Sequence, residues 1–203
     1  MTITLYQNDL PDDFELEGDL AIDTETMGLN LYRDKLCLLQ FSNGNGDAHL
    51  VNFLDQNYNA PNLKNLLSDK ERCKIFHFAR FDLAAIKKYL GIDLENIFCT
   101  KISSKLVRTY TESHGLKDIC RELLGVNISK QQQSSYWGAD NLSSDQQEYA
   151  AKDVLYLHKL REHLIAMLVK ENRFELAQEI FKFLPVRANL DLVGWDEIDI
   201  FTH

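Results

Sequence analysis

The sequence predicts an α/β fold with a mixed central sheet flanked by helices. Three observations carry that expectation. The first half alternates short apolar runs with turn residues, the middle alternates strand-like with helix-like segments, and the second half is helical in its periodicity. With 203 residues, 45% of them hydrophobic, the chain is long enough to bury a sizeable core as one domain spanning 1–203.

Each element has a local reason. "DLAID" (19–23) reads as a buried strand, because Leu20, Ala21 and Ile22 form an uninterrupted apolar run. "KLCLLQFS" (35–42), "NGNGD" (43–47) and "AHLVNF" (48–53) read as a hairpin, since Asn and Gly reach the positive φ of a tight return. "KIFHF" (74–78) is a fourth strand, and "DLAAIKKYLG" (82–91) an amphipathic helix closed by Gly91. "NIFCT" (96–100) is a short fifth strand. "KISSKLVRTY" (101–110) and "GLKDICRELLG" (115–125) carry apolar residues at helical spacing. Residues 143–172 predict one long helix from a Ser N-cap, and 173–184 predict a last helix stopped by Pro185. The tail (191–203) is apolar and acidic, so it is expected to dock on this chain or on a neighbouring subunit.

Composition narrows the partners. The net charge of −9 argues against extended duplex nucleic acid, which is usually gripped by a basic face. A ligand with few phosphates, or phosphates met by metal ions, both remain open. Cys37, Cys73, Cys99 and Cys120 form no C-x-x-C pair and read as reduced core residues. The N-terminus lacks the basic-then-apolar order of a signal peptide, and no apolar run approaches ~20 residues. A cytoplasmic protein with no membrane contact is therefore expected.

Three blocks carry acids. Asp23 and Glu25 lie two apart, on one face of a strand if the strand continues to 25. Like charges so close call for a cation between them, or else for a turn that leaves both solvated. Asp82 follows a strand where a helix begins, where α/β folds collect ligands; alone it is equally a helix-initiating acid. Tyr149 and Asp153 are four apart on a helix face, and Ala150 and Ala151 would let that helix approach the sheet. Together, Asp23, Glu25, Asp82 and Asp153 suit two divalent ions, one to activate a water and one to stabilise the leaving oxygen at phosphorus. The Tyr149 phenol would orient the water and need not be its formal base, since a free phenol has pKa ~10.

With these residues in place, "IDTET", "HFARFDL" and "YAAKD" resemble the three motifs of the DEDD superfamily of 3′-to-5′ exonucleases. The Y-x-x-x-D spacing is that of its tyrosine branch, with Glu148 where the histidine branch has its His; the likeness is greatest to ribonuclease D and runs over about 19–160. "KQQQSSYWG" also resembles the segment before the third motif, with Tyr136 where that family usually has Asp. The length is similar to that of the single-domain nano-RNase C group, whose members degrade very short RNAs as ring-like homo-oligomers.

The resemblance implies a ribonuclease H-like exonuclease fold and two Mg²⁺ or Mn²⁺ ions on Asp23, Glu25, Asp82 and Asp153, with Tyr149 orienting the water. It also implies 5′-nucleoside monophosphates released from the 3′ end of short single-stranded RNA or a dinucleotide. Leu29 in "ETMGL" matches a leucine that wedges between bases in related oligoribonucleases; its alternative is a core residue at the strand end. Thr24 and His77 are candidate substrate contacts, and Lys101, Ser104, Arg108, His114 and Lys117 are candidates for a 5′-phosphate cap. Each of these last has the alternative of a solvated helix face. Action on DNA 3′ ends or longer RNA would use the same acids. A haloacid dehalogenase-type phosphatase would leave Tyr149 and Asp153 without purpose, and a non-catalytic RNA-binding module would not need all four acids.

Overall fold

The computed structural model describes residues 2–129, 132 and 135–203. Among them, six strands form one mixed sheet: β1 (Ile3–Gln7), β2 (Leu20–Thr26), β3 (Leu36–Ser42), β4 (Ala48–Asn52), β5 (Lys74–Phe76) and β6 (Ile97–Cys99). Their spatial order is β1-β4-β3-β2-β5-β6. The β2–β3 and β3–β4 pairs are antiparallel, whereas β1–β4, β2–β5 and β5–β6 are parallel. β2 therefore lies inside the sheet, at the junction of its antiparallel and parallel parts.

Among the described residues, seven α-helices flank the sheet: α1 (Pro61–Ser68), α2 (Ala79–Leu90), α3 (Thr100–Val107), α4 (Leu116–Leu124), α5 (Ser144–Leu155), α6 (Leu157–Lys170) and α7 (Phe174–Leu190). α2 packs on β2, β3, β5 and β6, and α5 packs on β1 to β4. The sheet's apolar runs are fully buried, with Leu20, Ala21, Ile22, Leu38, Leu39, Phe41 and Ile75 at 0% exposure. Such burial is the main favourable term in folding. All four cysteines are buried and unpaired. No helix among the described residues is long and apolar enough to cross a membrane.

The structure departs from the sequence reading in four places. β1 and α1 were not expected, although Thr2-Ile3-Thr4-Leu5 alternates polar and apolar residues; β1 is a short, half-buried edge strand. The long helix predicted over 143–172 is two, α5 and α6, broken at Tyr156 (φ −100°, ψ −9°). The last helix does not stop at Pro185 but runs through it to Leu190. Pro185 removes one backbone donor, at a cost of about 3 kcal/mol in a helix interior. Burial of Phe181, Leu184 and Ala188 on the same helix overrides that local penalty.

The tail beyond α7 forms a short π-helical turn, Asp191–Trp195. Arg80 grips it through Asp191 (2.7 Å from both Nε and Nη2) and the Asp196 carbonyl (2.7 Å). Val193, Trp195, Ile198, Ile200 and Phe201 stay exposed. Within the KQQQ segment, Lys130, Gln131, Gln133 and Ser134 lie outside the described residues.

Candidate active site

β2 continues in extended conformation through Thr26, so Asp23 and Glu25 share one face. A register shift between Glu25 and Thr26 ends the regular ladder just past the second acid. The solvated-turn alternative for Glu25 is thus removed.

α5 brings the third acid. Its start is set by a reciprocal cap: Ser143 Oγ accepts from the Gln146 N–H at 3.2 Å, and the Ser143 N–H donates to Gln146 Oε1 at 3.0 Å. Ala150 and Ala151 are fully buried, so no large side chain holds α5 off the sheet. Asp153 arrives beside β2, and carboxylate oxygens of Asp23, Glu25 and Asp153 lie within 4.8 Å of one another.

Asp82 comes from the first turn of α2 and is buried. Its Oδ1 accepts from the Thr24 N–H (3.0 Å) and the Thr24 hydroxyl (2.6 Å), and it stands outside the convergent trio. Thr24 was expected as a substrate contact. Its two donors are spent on Asp82 instead.

Burial and mutual repulsion push these acids up together. Asp23 is raised well above the carboxylate range by burial, then by the charges of Asp82, Asp153 and Glu25. Glu25 is raised likewise by burial and by Asp153 and Asp82. Burial raises Asp82 and Asp153 to about 7 each. Among the described residues no Lys or Arg forms an ion pair with any of the four. An all-oxygen donor set with unbalanced negative charge fits hard divalent cations such as Mg²⁺.

Two further groups hold the acids. The Tyr149 phenol favours the charged form of the Asp153 carboxylate, and is itself pushed up by burial and by the surrounding acids, so it stays protonated at neutral pH. Gln40 on β3 was not anticipated. It pairs with Asp23 in the ladder, and its Nε2 donates to Asp23 Oδ2 at 2.6 Å. The available signal was a lone amide inside the apolar run "LCLLQF".

The acids open into a cleft of about 760 Å³ lined also by Met27, Leu29, His77, Phe78, Lys101 and Trp137. β2 ends before Leu29, which is 86% exposed on the following loop; the strand-end core alternative is therefore overturned. His77 Nδ1 lies 2.9 Å from the Thr100 hydroxyl, which donates to the Phe76 carbonyl and so accepts from the imidazole. The Lys101 ammonium sits 4.1 Å from the Phe78 ring centroid. Lys117 also lines the cleft, and Trp137 is buried with its ring 6.0 Å from that of Tyr149.

Ser104, Arg108 and His114 do not line this cleft. All three are buried in one network. Arg108 binds the Glu122 carboxylate, Ser104 Oγ (2.9 Å) and the Ser113 carbonyl (2.8 Å), and Ser104 Oγ meets His114 Nδ1 at 2.9 Å. The expectation that they cap a phosphate is corrected, because their donors are already engaged inside the fold.

A sequence model of 3′-5′ exonucleases matches residues 5–169. Ribonuclease D of Gluconacetobacter diazotrophicus is 31% identical over 159 residues, which is 78% of this chain and 40% of that protein. The chain spans about half the length, or less, of the ribonucleases D it matches. Brucella melitensis NrnC bound to pGG is 53% identical, covers 100% of this chain and 99% of that one, and superposes with a TM-score of 0.95. The same protein with bound Mg²⁺ is 52% identical, with 100% of both chains covered and a TM-score of 0.94.

Proposed function

The chain belongs to the 3′-5′ exonuclease family, and from that premise we propose that it hydrolyses short single-stranded RNA, dinucleotides included, to 5′-nucleoside monophosphates. The observation that carries this reading is the convergence of Asp23, Glu25 and Asp153 within 4.8 Å, with Asp82 beside them. The short-RNA part is supported by the match over the whole chain to NrnC, a protein seen with pGG, and by the −9 net charge, which disfavours long polyanions.

In this reading Asp23, Glu25, Asp82 and Asp153 hold two divalent ions, Mg²⁺ or Mn²⁺. Bound there, such ions supply a water acidified toward neutrality and neutralise charge on the phosphodiester. The chain's own residues then set geometry. Tyr149, protonated and one helical turn from Asp153, directs the attacking water toward phosphorus. Thr24 and Gln40 keep Asp82 and Asp23 in place, as supporting donors do around metal ligands. Leu29 presses between bases, while Lys101 and Lys117, at the cleft wall, meet phosphate.

The chain acts as one domain, in the cytoplasm. Its exposed tail residues Val193, Trp195, Ile198, Ile200 and Phe201 are suited to contacts in a homo-oligomer. The test is hydrolysis of 3′-labelled RNAs of two to about seven nucleotides beside matched DNA, with Mg²⁺ and with chelator. Cleavage with Mg²⁺ alone, fastest for the shortest RNA, is expected. No cleavage under any divalent ion would leave a binding module, and faster DNA turnover would make the chain a DNA-end trimmer.

A further inference from the structure

Phe78 occupies a backbone position that suits glycine. It joins β5 to α2 with φ 71° and ψ 47°, in the left-handed region. The other described non-glycine residues at positive φ are Asn8, Asp55, Gln56, Asn96 and Asn172. Most of these are Asn or Asp, which tolerate that region through local hydrogen bonds; a bulky side chain there is a genuine outlier. Burial does not compensate, because Phe78 is 43% exposed. Backbone preference does not explain an aromatic ring at this place.

Location does. Phe78 and Leu29 both line the acidic cleft and the adjoining hollow beside Tyr32 and Arg80. Asp82 stands one turn further along α2. Lys101 holds its ammonium 4.1 Å from the ring centroid, covering one face with positive charge. An aromatic ring beside a cation is the pairing that accepts a base and its phosphate in single-stranded nucleic-acid sites. Strained residues persist where surrounding structure and function hold them.

We propose that the Phe78 ring is a stacking platform for one nucleobase of the substrate, with Lys101 on its opposite face. This rests on the reading that the cleft holds an oligonucleotide. It makes Phe78 a substrate-positioning residue, and it assigns the strained strand-to-helix junction a purpose.

The informative variant is Phe78→Gly, since glycine takes this φ without strain. The probe is a fluorescent RNA dinucleotide whose scissile bridging oxygen is a methylene, together with two forms each lacking one base. The expected result is a melting temperature equal to or above wild type. Affinity for the intact probe should fall about 5- to 100-fold, the range of one base–aromatic stack. The loss should vanish for the form lacking the stacked base, and Phe78→Tyr should bind as wild type does. Unchanged affinity in Phe78→Gly, an equal loss on all three probes, or no binding by wild type would overturn the proposal. A lower melting temperature together with loss in Phe78→Tyr would do so too, making the ring a packing element. Hydrolysis of the natural dinucleotide by wild type is scored separately, so failure of the nuclease reading is distinguishable from failure of the stack.

Discussion

Gln40 and Asp23 face each other across the β2–β3 pair, and the buried Gln40 amide donates to Asp23 Oδ2 at 2.6 Å. The bond fixes the acid's rotamer from a neighbouring strand. Replacing Gln40 by Leu keeps similar bulk and removes the donor. The Mg²⁺ concentration for half-maximal activity should rise about 10- to 100-fold, the usual cost of losing a group that orients a metal ligand. An unchanged Mg²⁺ titration would show that the amide plays no part in holding the ion.

Removal of an acid should separate stability from activity. Asp153→Asn and Asp23→Ala are expected to abolish turnover. In chelator Asp153→Asn should melt higher than wild type, because one of several mutually repelling charges is gone. Wild-type rates in either variant would refute the metal assignment.

The same repulsion makes metal-free stability depend on pH. Burial pushes Asp82 and Asp153 up to about 7 in the folded protein, against an ordinary value of 3.8. Between those values the folded chain binds more protons than the unfolded chain, so stability falls as pH rises through the window. Below it, both states are protonated and the penalty disappears. Glu122, lowered to about 2 by Arg108 and Tyr110, acts oppositely, but only in more acidic solution. Melting in chelator should therefore occur at lower temperature at pH 8 than at pH 5.5, and Mg²⁺ should remove most of the difference. A chelated melting temperature that climbs from pH 5.5 to 8 would contradict this.

Arg108 is expected to matter for folding and not for substrate. It is fully buried, with its donors on Glu122, Ser104 and Ser113. Arg108→Ala should destabilise by about 1–3 kcal/mol, since it empties a fully buried site and leaves the buried Ser104 hydroxyl without its donor. KM for a dinucleotide should stay within about twofold, less than the loss of one good contact would cause. A rise in KM without loss of stability would restore Arg108 as a phosphate contact.

Tyr149→Phe keeps the ring and loses the hydroxyl that favours the charged form of Asp153. Turnover should drop about 10- to 1000-fold, less than for loss of an acid, because the metal site still acidifies the water. With the phenol pushed above its ordinary range, the wild-type rate should show no alkaline fall attributable to Tyr149 up to about pH 10. A rate that instead rises with pH through a step near pH 8, and that Tyr149→Phe flattens, would make the phenol a base.

Much of this was written in local pattern. The strand bearing Asp23, the Asn-Gly hairpin, Gly91 closing α2 and the Ser143 cap of α5 each follow from residues within a turn or two of one another. The three acidic blocks were legible because strand and helix periods place side chains on faces independently of the rest of the fold. The continuation of α7 through Pro185 was not, since distant packing outweighed a local penalty.

Pairing across long separations belonged to the tertiary structure alone. Whether Gln40 meets Asp23 depends on strand register, and a slip of one residue would turn it to the other face. Whether Arg108 reaches solvent or Glu122 depends on how α3 and α4 pack, and Arg80 finds Asp191 from 111 residues away. The linear chain determined which chemistry is present and on which face of each element it lies, because those choices are made by steric rules acting over a few bonds. Only the assembled fold decided which donors are spent on neighbours and which remain for a ligand, because burial and hydrogen-bond satisfaction are settled between segments that meet late.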